Sequence, residues 1–171
     1  DRDLVAAIQR LGPELAQGRH RAISLYQAGR IEEALGAFAE VIRTAQKTGR
    51  PQLAGDLAFT RGSVMVRAGR FASAVGSFRA VADQKPVHRQ AASAHLLWAW
   101  CLGQVERKQP TASHRMAYHQ ALVQHRTRFP DDPTTGEATW LLASLEQQLQ
   151  HDSLARTLWM KIPASHPRAA S

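Results

Sequence analysis

Histidine is the residue type in this chain that most invites a chemical role, because its 171 residues include 8 histidines. A zinc site on a helix needs two ligands three or four residues apart, with a third ligand nearby. His114 and His119 are five residues apart, and His119 and His125 are six apart. His88 and His95 are two helical turns apart, but no carboxylate accompanies them on that face. The sequence therefore predicts no metal site, and surface or hydrogen-bonded histidines are expected.

Signatures of catalysis are also missing from the sequence. The carboxylate pairs Glu32-Glu33 and Asp131-Asp132 fall where helices are expected to begin, and neither has a partner for acid–base work. No glycine-rich phosphate loop and no Gly-x-Ser-x-Gly segment occurs. The single cysteine, Cys101, has apolar neighbours and is expected to be buried. We predict that the chain is not an enzyme and uses no cofactor.

The formal net charge is +8, and the excess lies in the middle of the chain. A positive stretch there contains Arg61, Arg67, Arg70, Arg79, Lys85 and Arg89. Such a field favours acidic partners or a nucleic-acid backbone. No aromatic–basic module for single-stranded bases is recognisable, so solvated surface arginines are the preferred interpretation. No apolar run is long enough to span a membrane, and no signal peptide is visible.

An internal repeat with a spacing of about 40 residues organises the chain. Residues 28–38 and 68–78 share an Ala-Gly-Arg start, a later alanine and a final phenylalanine. Gly29 and Gly69 are expected to end helices, because glycine adopts the left-handed conformation easily. Apolar residues at helical spacing follow both glycines. Four units, each of two helices, fit the length.

Prolines and capping residues set the remaining helix boundaries. Helix starts are expected at Pro13, Pro51, Pro110-Thr111, Asp132-Pro133 and Asp152. Pro86 is expected to stop the helix that follows Gly69, and residues 4–11 to form a short leading helix.

The order of these residues resembles the tetratricopeptide repeat (TPR) family. There, a small residue in the first helix precedes a turn glycine, an alanine and an aromatic residue in the second helix, and then a proline. The second unit shows this order as Gly62, Gly69, Ala74, Phe78 and Pro86. The other units match less closely, and the period of 40 is longer than the usual one, so an irregular relative stays open.

The resemblance implies an all-α fold, a right-handed superhelix (solenoid) of about four TPR-like helix pairs. We expect one domain over residues 1–163, followed by a loose tail at 164–171. The expected units span about 13–49, 51–86, 87–130 and 133–163.

The resemblance also implies a binding surface, since the first helix of each pair lines the concave face in this family. The positions carried over are Arg19, His20, Gln27, Asp56, Phe59, Thr60, Ser63, Arg67, Trp100, Gln104, Arg107, Lys108, Trp140, Ser144 and Gln147. Trp100 and Trp140 would be strong anchors for a partner, although filling the stack between units is an equal alternative. The basic members would accept an extended or helical acidic segment.

The predicted function is therefore a protein–protein interaction scaffold or adaptor module, part of a larger protein, with a protein or peptide as its partner. One alternative is a nucleic-acid-binding helical repeat that uses the basic middle units. The other is a purely architectural segment that stacks on further repeats. The sequence carries no marker of compartment or oligomeric state.

Overall fold

A computed structural model describes residues 2–162 and residue 167, and over that part of the chain it is all-α, as predicted. The helices are α1 (Arg2–Leu11), α2 (Pro13–Gln27), α3 (Ile31–Lys47), α4 (Pro51–Arg67), α5 (Phe71–Ala82), α6 (Ala91–Lys108), α7 (Ala112–Arg128), α8 (Thr134–Gln148) and α9 (Asp152–Trp159). The described residues contain no strand. None of these helices is both long and apolar enough to cross a membrane. Apart from Pro167, the predicted tail at 164–171 lies outside the described residues.

The chain forms two compact units, residues 1–94 and residues 95–171, and the boundary falls inside α6. In the first unit each helix packs on the next, from α1 through α5. In the second unit α7 packs on α8 and α8 packs on α9. Side chains of α6 join the core that α7, α8 and α9 share. Each helix thus buries its apolar side against a neighbour in sequence, which is how helical repeats obtain a core.

Glycine turns connect the paired helices of the first unit, as predicted. Gly29 follows α2 and Gly69 follows α4, with φ values of 74° and 71°. After α2 the Gly29 N–H donates to the Tyr26 carbonyl at 3.0 Å, and the Arg30 N–H donates to the Leu25 carbonyl at 2.9 Å. These bonds satisfy carbonyls that the helix end leaves open. A residue with a Cβ would be strained at either glycine.

The predicted helix starts at Pro13 and Pro51 are confirmed, because each is the first residue of its helix. Two predicted N-caps are wrong by one position. Pro133 is the N-cap of α8, although the Asp132 carboxylate still accepts a hydrogen bond from the Thr134 N–H at 2.9 Å. His151 is the N-cap of α9, and Asp152 lies in its first turn, where a negative charge favours the dipole.

The predicted stop at Pro86 is also displaced, since α5 already ends at Ala82. The segment that follows lies along α4. Gln52 donates its side-chain N–H to the Val87 carbonyl at 3.3 Å, and a Cβ at Gly55 would meet the Gln84 side chain at 2.7 Å. Contacts with α4, which local sequence signals do not encode, therefore fix this connection.

A small residue facing an aromatic ring recurs in both units. In the first unit, a Cβ built on Gly62 of α4 would lie 2.9 Å from the fully buried ring of Phe78 on α5. In the second unit, a Cβ on Gly103 of α6 would lie 2.9 Å from the ring of Tyr118 on α7. The missing side chain lets the ring come close to the backbone of the neighbouring helix, at the short interaxial distance that small residues permit.

Two substitutions in α5 should change stability in opposite directions. Ala74 is fully buried, so Ala74→Leu should overpack the core and lower the free energy of unfolding by roughly 1–3 kcal/mol. Gly76 is exposed and its missing Cβ would meet nothing within 4 Å, so Gly76→Ala should raise it by about 0.5–1 kcal/mol. Urea unfolding measures both. An Ala74→Leu protein as stable as the parent would contradict this account of the core.

Candidate binding clefts

The first unit carries a groove beside α1, α2 and α4. It consists of a cavity of about 400 Å³ and an adjoining cavity of about 290 Å³, and both are lined by Ala7 and Arg19. We call the two together the first-unit groove. Its charged and polar lining residues are Arg10, Arg19, His20, Gln27, Asp56, Thr60, Arg89 and Gln90. Leu53, Leu57 and Phe59 contribute apolar surface.

Positive charge is in excess in this groove, because three arginines and one aspartate line its larger cavity. Arg89 is committed to Asp56, with its Nη2 at 2.7 Å and 2.9 Å from the two carboxylate oxygens. Arg10 donates from Nε to the Ala6 carbonyl at 3.3 Å. Arg19 is exposed and makes no ion pair or hydrogen bond with the described residues. The guanidinium groups of Arg10 and Arg19 are therefore not matched by an acidic side chain.

A buried histidine holds the Asp56 carboxylate in place from below. His88 Nε2 lies 3.3 Å from an Asp56 oxygen and 3.1 Å from the Gln52 carbonyl. The Gln90 N–H donates to His88 Nδ1 at 3.1 Å, so the ring proton belongs on Nε2. Both ring nitrogens are thus used. Asp56 comes from another helix, which is why spacing along the sequence gave no carboxylate for this histidine.

The second unit carries a separate cleft of about 330 Å³, which we call the second-unit cleft. Its lining residues come from α6, α7 and α8: Trp100, Gly103, Gln104, Glu106, Arg107, Tyr118, Trp140, Leu141, Ser144, Leu145 and Gln148. The two tryptophans and Tyr118 are half-buried. Burial raises the pKa of Tyr118 to about 12, so its hydroxyl keeps its proton.

The predicted binding residues divide among three locations. Six of them line the first-unit groove: Arg19, His20, Gln27, Asp56, Phe59 and Thr60. Five line the second-unit cleft: Trp100, Gln104, Arg107, Trp140 and Ser144. The remaining four, Ser63, Arg67, Lys108 and Gln147, line neither. Arg67 instead donates to the Tyr26 hydroxyl at 3.1 Å.

Four lining residues were missed by the sequence analysis: Arg10, Arg89, Tyr118 and Gln148. Arg10 lies on the leading helix, outside the repeat pattern, and Arg89 lies in the connection before α6. Tyr118 could have been found, because it stands 40 residues after Phe78 in the repeat. The half-turn between Ser144 and Gln148 on α8 is the signal for the fourth.

Three histidines are buried, which the expectation of surface histidines did not foresee. The two in the second unit are His95 and His125, whose ring centroids are 5.3 Å apart. His125 Nε2 lies 3.0 Å from the Thr134 hydroxyl, whose hydrogen goes to Asp132, so His125 is the donor. His125 Nδ1 has no hydrogen-bond partner within the described residues.

Two more histidines share one buried carboxylate in the second unit. His119 Nε2 and His151 Nδ1 each lie 2.7 Å from an oxygen of Glu146. Burial opposes ionisation of Glu146, but the hydrogen bonds from His151 and His119 hold its pKa below its usual value. The described residues contain no group of three side chains able to hold a metal ion. The contacts of Glu146 join α7 to α8 and to the start of α9.

Cys101 is completely buried in α6. Burial raises the pKa of its thiol to about 12, so a reactive thiolate is disfavoured.

Comparison with known proteins adds no family. No protein-family model matches the chain, and no curated protein matches it significantly. Function is therefore inferred from the residues of the two clefts.

Acid should weaken the fold through His125. Burial and then the neighbouring His95 lower the pKa of His125 from 6.5 to about 4, while Asp132 acts weakly in the opposite direction. Between these two values the unfolded chain binds a proton that the folded chain refuses, so stability is lost as the pH falls through this window. From about pH 7.5 to about pH 5, the free energy of unfolding should fall by about 2 kcal/mol more than in His125→Gln. Urea unfolding at both pH values measures this, and equal losses in the two proteins would refute it.

Proposed function

We propose that the chain is a protein-binding helical-repeat module that holds an acidic segment of a partner protein in the first-unit groove. The observation that carries the proposal is the pair of arginines, Arg10 and Arg19, beside a cavity of about 400 Å³ with no acidic side chain matched to them. Arginine presents several donors in a planar fork that suits carboxylates.

The floor of the groove supports a peptide rather than a small ion as ligand. Leu53, Leu57 and Phe59 supply apolar surface next to the charged groups. The ring of Phe59 packs edge-on against Phe78, with centroids 5.4 Å apart, which holds it in place. An acidic segment with an apolar side chain could therefore use both kinds of surface.

The polar groups of the groove favour binding over catalysis. Asp56 is occupied by Arg89, and both ring nitrogens of His88 are hydrogen-bonded within the protein. An acid or base for catalysis must reach a substrate through an available lone pair or proton. We therefore assign these three residues to fixing the groove wall.

We also propose that the helix pairs are arranged as a right-handed, TPR-like superhelix. The support is the recurring contact between a small residue and an aromatic ring. Gly62 meets Phe78, and Gly103 meets Tyr118, with the two rings 40 residues apart in sequence. Equivalent contacts at the repeat spacing are what repeated helix pairs require.

A defined acidic peptide tests the proposed binding. A labelled peptide of about ten residues, glutamates around one leucine, should bind the chain at low salt by fluorescence anisotropy, whereas its lysine counterpart should not. Arg19→Glu places a like charge in the groove and should weaken binding about tenfold or more.

Arg43→Glu is the matched control, because Arg43 is exposed on α3, lines neither cleft and makes no ion pair among the described residues. It makes the same change in net charge and should alter affinity less than about twofold. Equal losses in the two variants would mean that only net charge matters, and the proposed groove would be wrong. Tighter binding of a duplex oligonucleotide, lost equally in both variants, would favour the nucleic-acid alternative.

A further inference from the structure

The walls of the second-unit cleft are aromatic. Trp100 on α6, Tyr118 on α7 and Trp140 on α8 all line it and are half-buried. Leu141 and Leu145 add aliphatic surface. Half-buried rings present flat apolar faces and polar edges to the same ligand. A volume of about 330 Å³ is small for a binding site, so it suits a short stretch of chain.

The polar groups that remain available in this cleft can all donate. The side-chain amides of Gln104 and Gln148, the Tyr118 hydroxyl and the Arg107 guanidinium make no hydrogen bond or ion pair with the described residues. Arginine can only donate, and the other three carry at least one donor each. Ser144 is the exception, because its hydroxyl already donates to the Trp140 carbonyl at 2.9 Å. A complementary ligand must therefore offer acceptors.

The charges of the cleft nearly cancel, which separates it from the first-unit groove. Only Glu106 and Arg107 are charged among its lining residues. Glu106 is paired with Arg115, whose Nε lies 3.2 Å from its carboxylate. No excess of either sign selects an acidic or a basic segment here. An uncharged ligand fits best.

We propose that the second-unit cleft binds a proline-rich segment of a partner protein in the polyproline II conformation. Proline has no N–H, so such a segment presents carbonyl acceptors and few donors, which matches the donors of the cleft. Its rings pack against aromatic faces, and its backbone makes no internal hydrogen bonds that binding would break. The conformation is largely formed before binding, so little entropy is lost.

Binding of a labelled proline peptide to the full chain tests this inference. The probe is a peptide of about ten prolines, and a glycine–serine peptide of equal length is the comparison. Fluorescence anisotropy should show saturable binding of the proline peptide only. Trp140→Ala should weaken binding about tenfold or more, as expected for a central aromatic contact.

A second pair of variants keeps the test valid if Trp140→Ala fails to fold. Gln148→Ala removes one donor from the cleft and should weaken binding about threefold to tenfold. Gln147→Ala is the matched control, since Gln147 is exposed on the same helix and lines neither cleft. It should change affinity less than about twofold. Equal effects of the two glutamine variants would overturn the proposal.

Other outcomes distinguish this cleft from the first-unit groove. Arg19→Glu should leave binding of the proline peptide unchanged, and Gln148→Ala should leave binding of the acidic peptide unchanged. Failure of the acidic peptide alone would therefore leave this inference intact. No binding of the proline peptide, or binding of a single-stranded oligonucleotide that Gln148→Ala abolishes, would overturn it, because the cleft would then stack nucleobases.

Discussion

Close approach of neighbouring helices at residues with little or no side chain is the constraint on which both units depend. Gly62 leaves room for the ring of Phe78, and Gly103 leaves room for Tyr118. A helix of this length is marginal alone, so its stability comes from the neighbour that covers its apolar side. The aromatic ring supplies most of the buried area at these contacts, and the glycine sets how near the helices come. Tyr118 also links packing to binding, because the same ring lines the second-unit cleft.

The connection between α5 and α6 shows how one segment serves both stability and the site. His88 is fully buried beneath it and meets the Asp56 carboxylate and the Gln52 carbonyl of α4. Arg89, the next residue, reaches the same carboxylate from the solvent side. Gly55 makes this possible, since a Cβ there would lie 2.8 Å from His88 Nε2. The wall of the first-unit groove is thus built from an irregular segment held by buried polar contacts.

The sequence was most informative where one residue type has one physical reason to be present. Gly29 and Gly69 ended helices, and Pro13 and Pro51 began them, because their backbone preferences are local. The all-α fold followed from the spacing of apolar residues. Eleven of the fifteen predicted binding positions line a cleft. Arg89 and the buried state of His88 could not be predicted, because both depend on Asp56, which lies more than 30 residues away in sequence.

The burial of Cys101 has a practical consequence for studying this protein. It is the only cysteine of the chain, and its thiol is inside the core with a pKa of about 12. Thiol-directed reagents attack the thiolate, so the native fold leaves this group chemically silent near neutral pH. A second cysteine introduced on the surface would then take up a fluorescent or spin label selectively. The natural sequence is in this sense already prepared for site-directed spectroscopy.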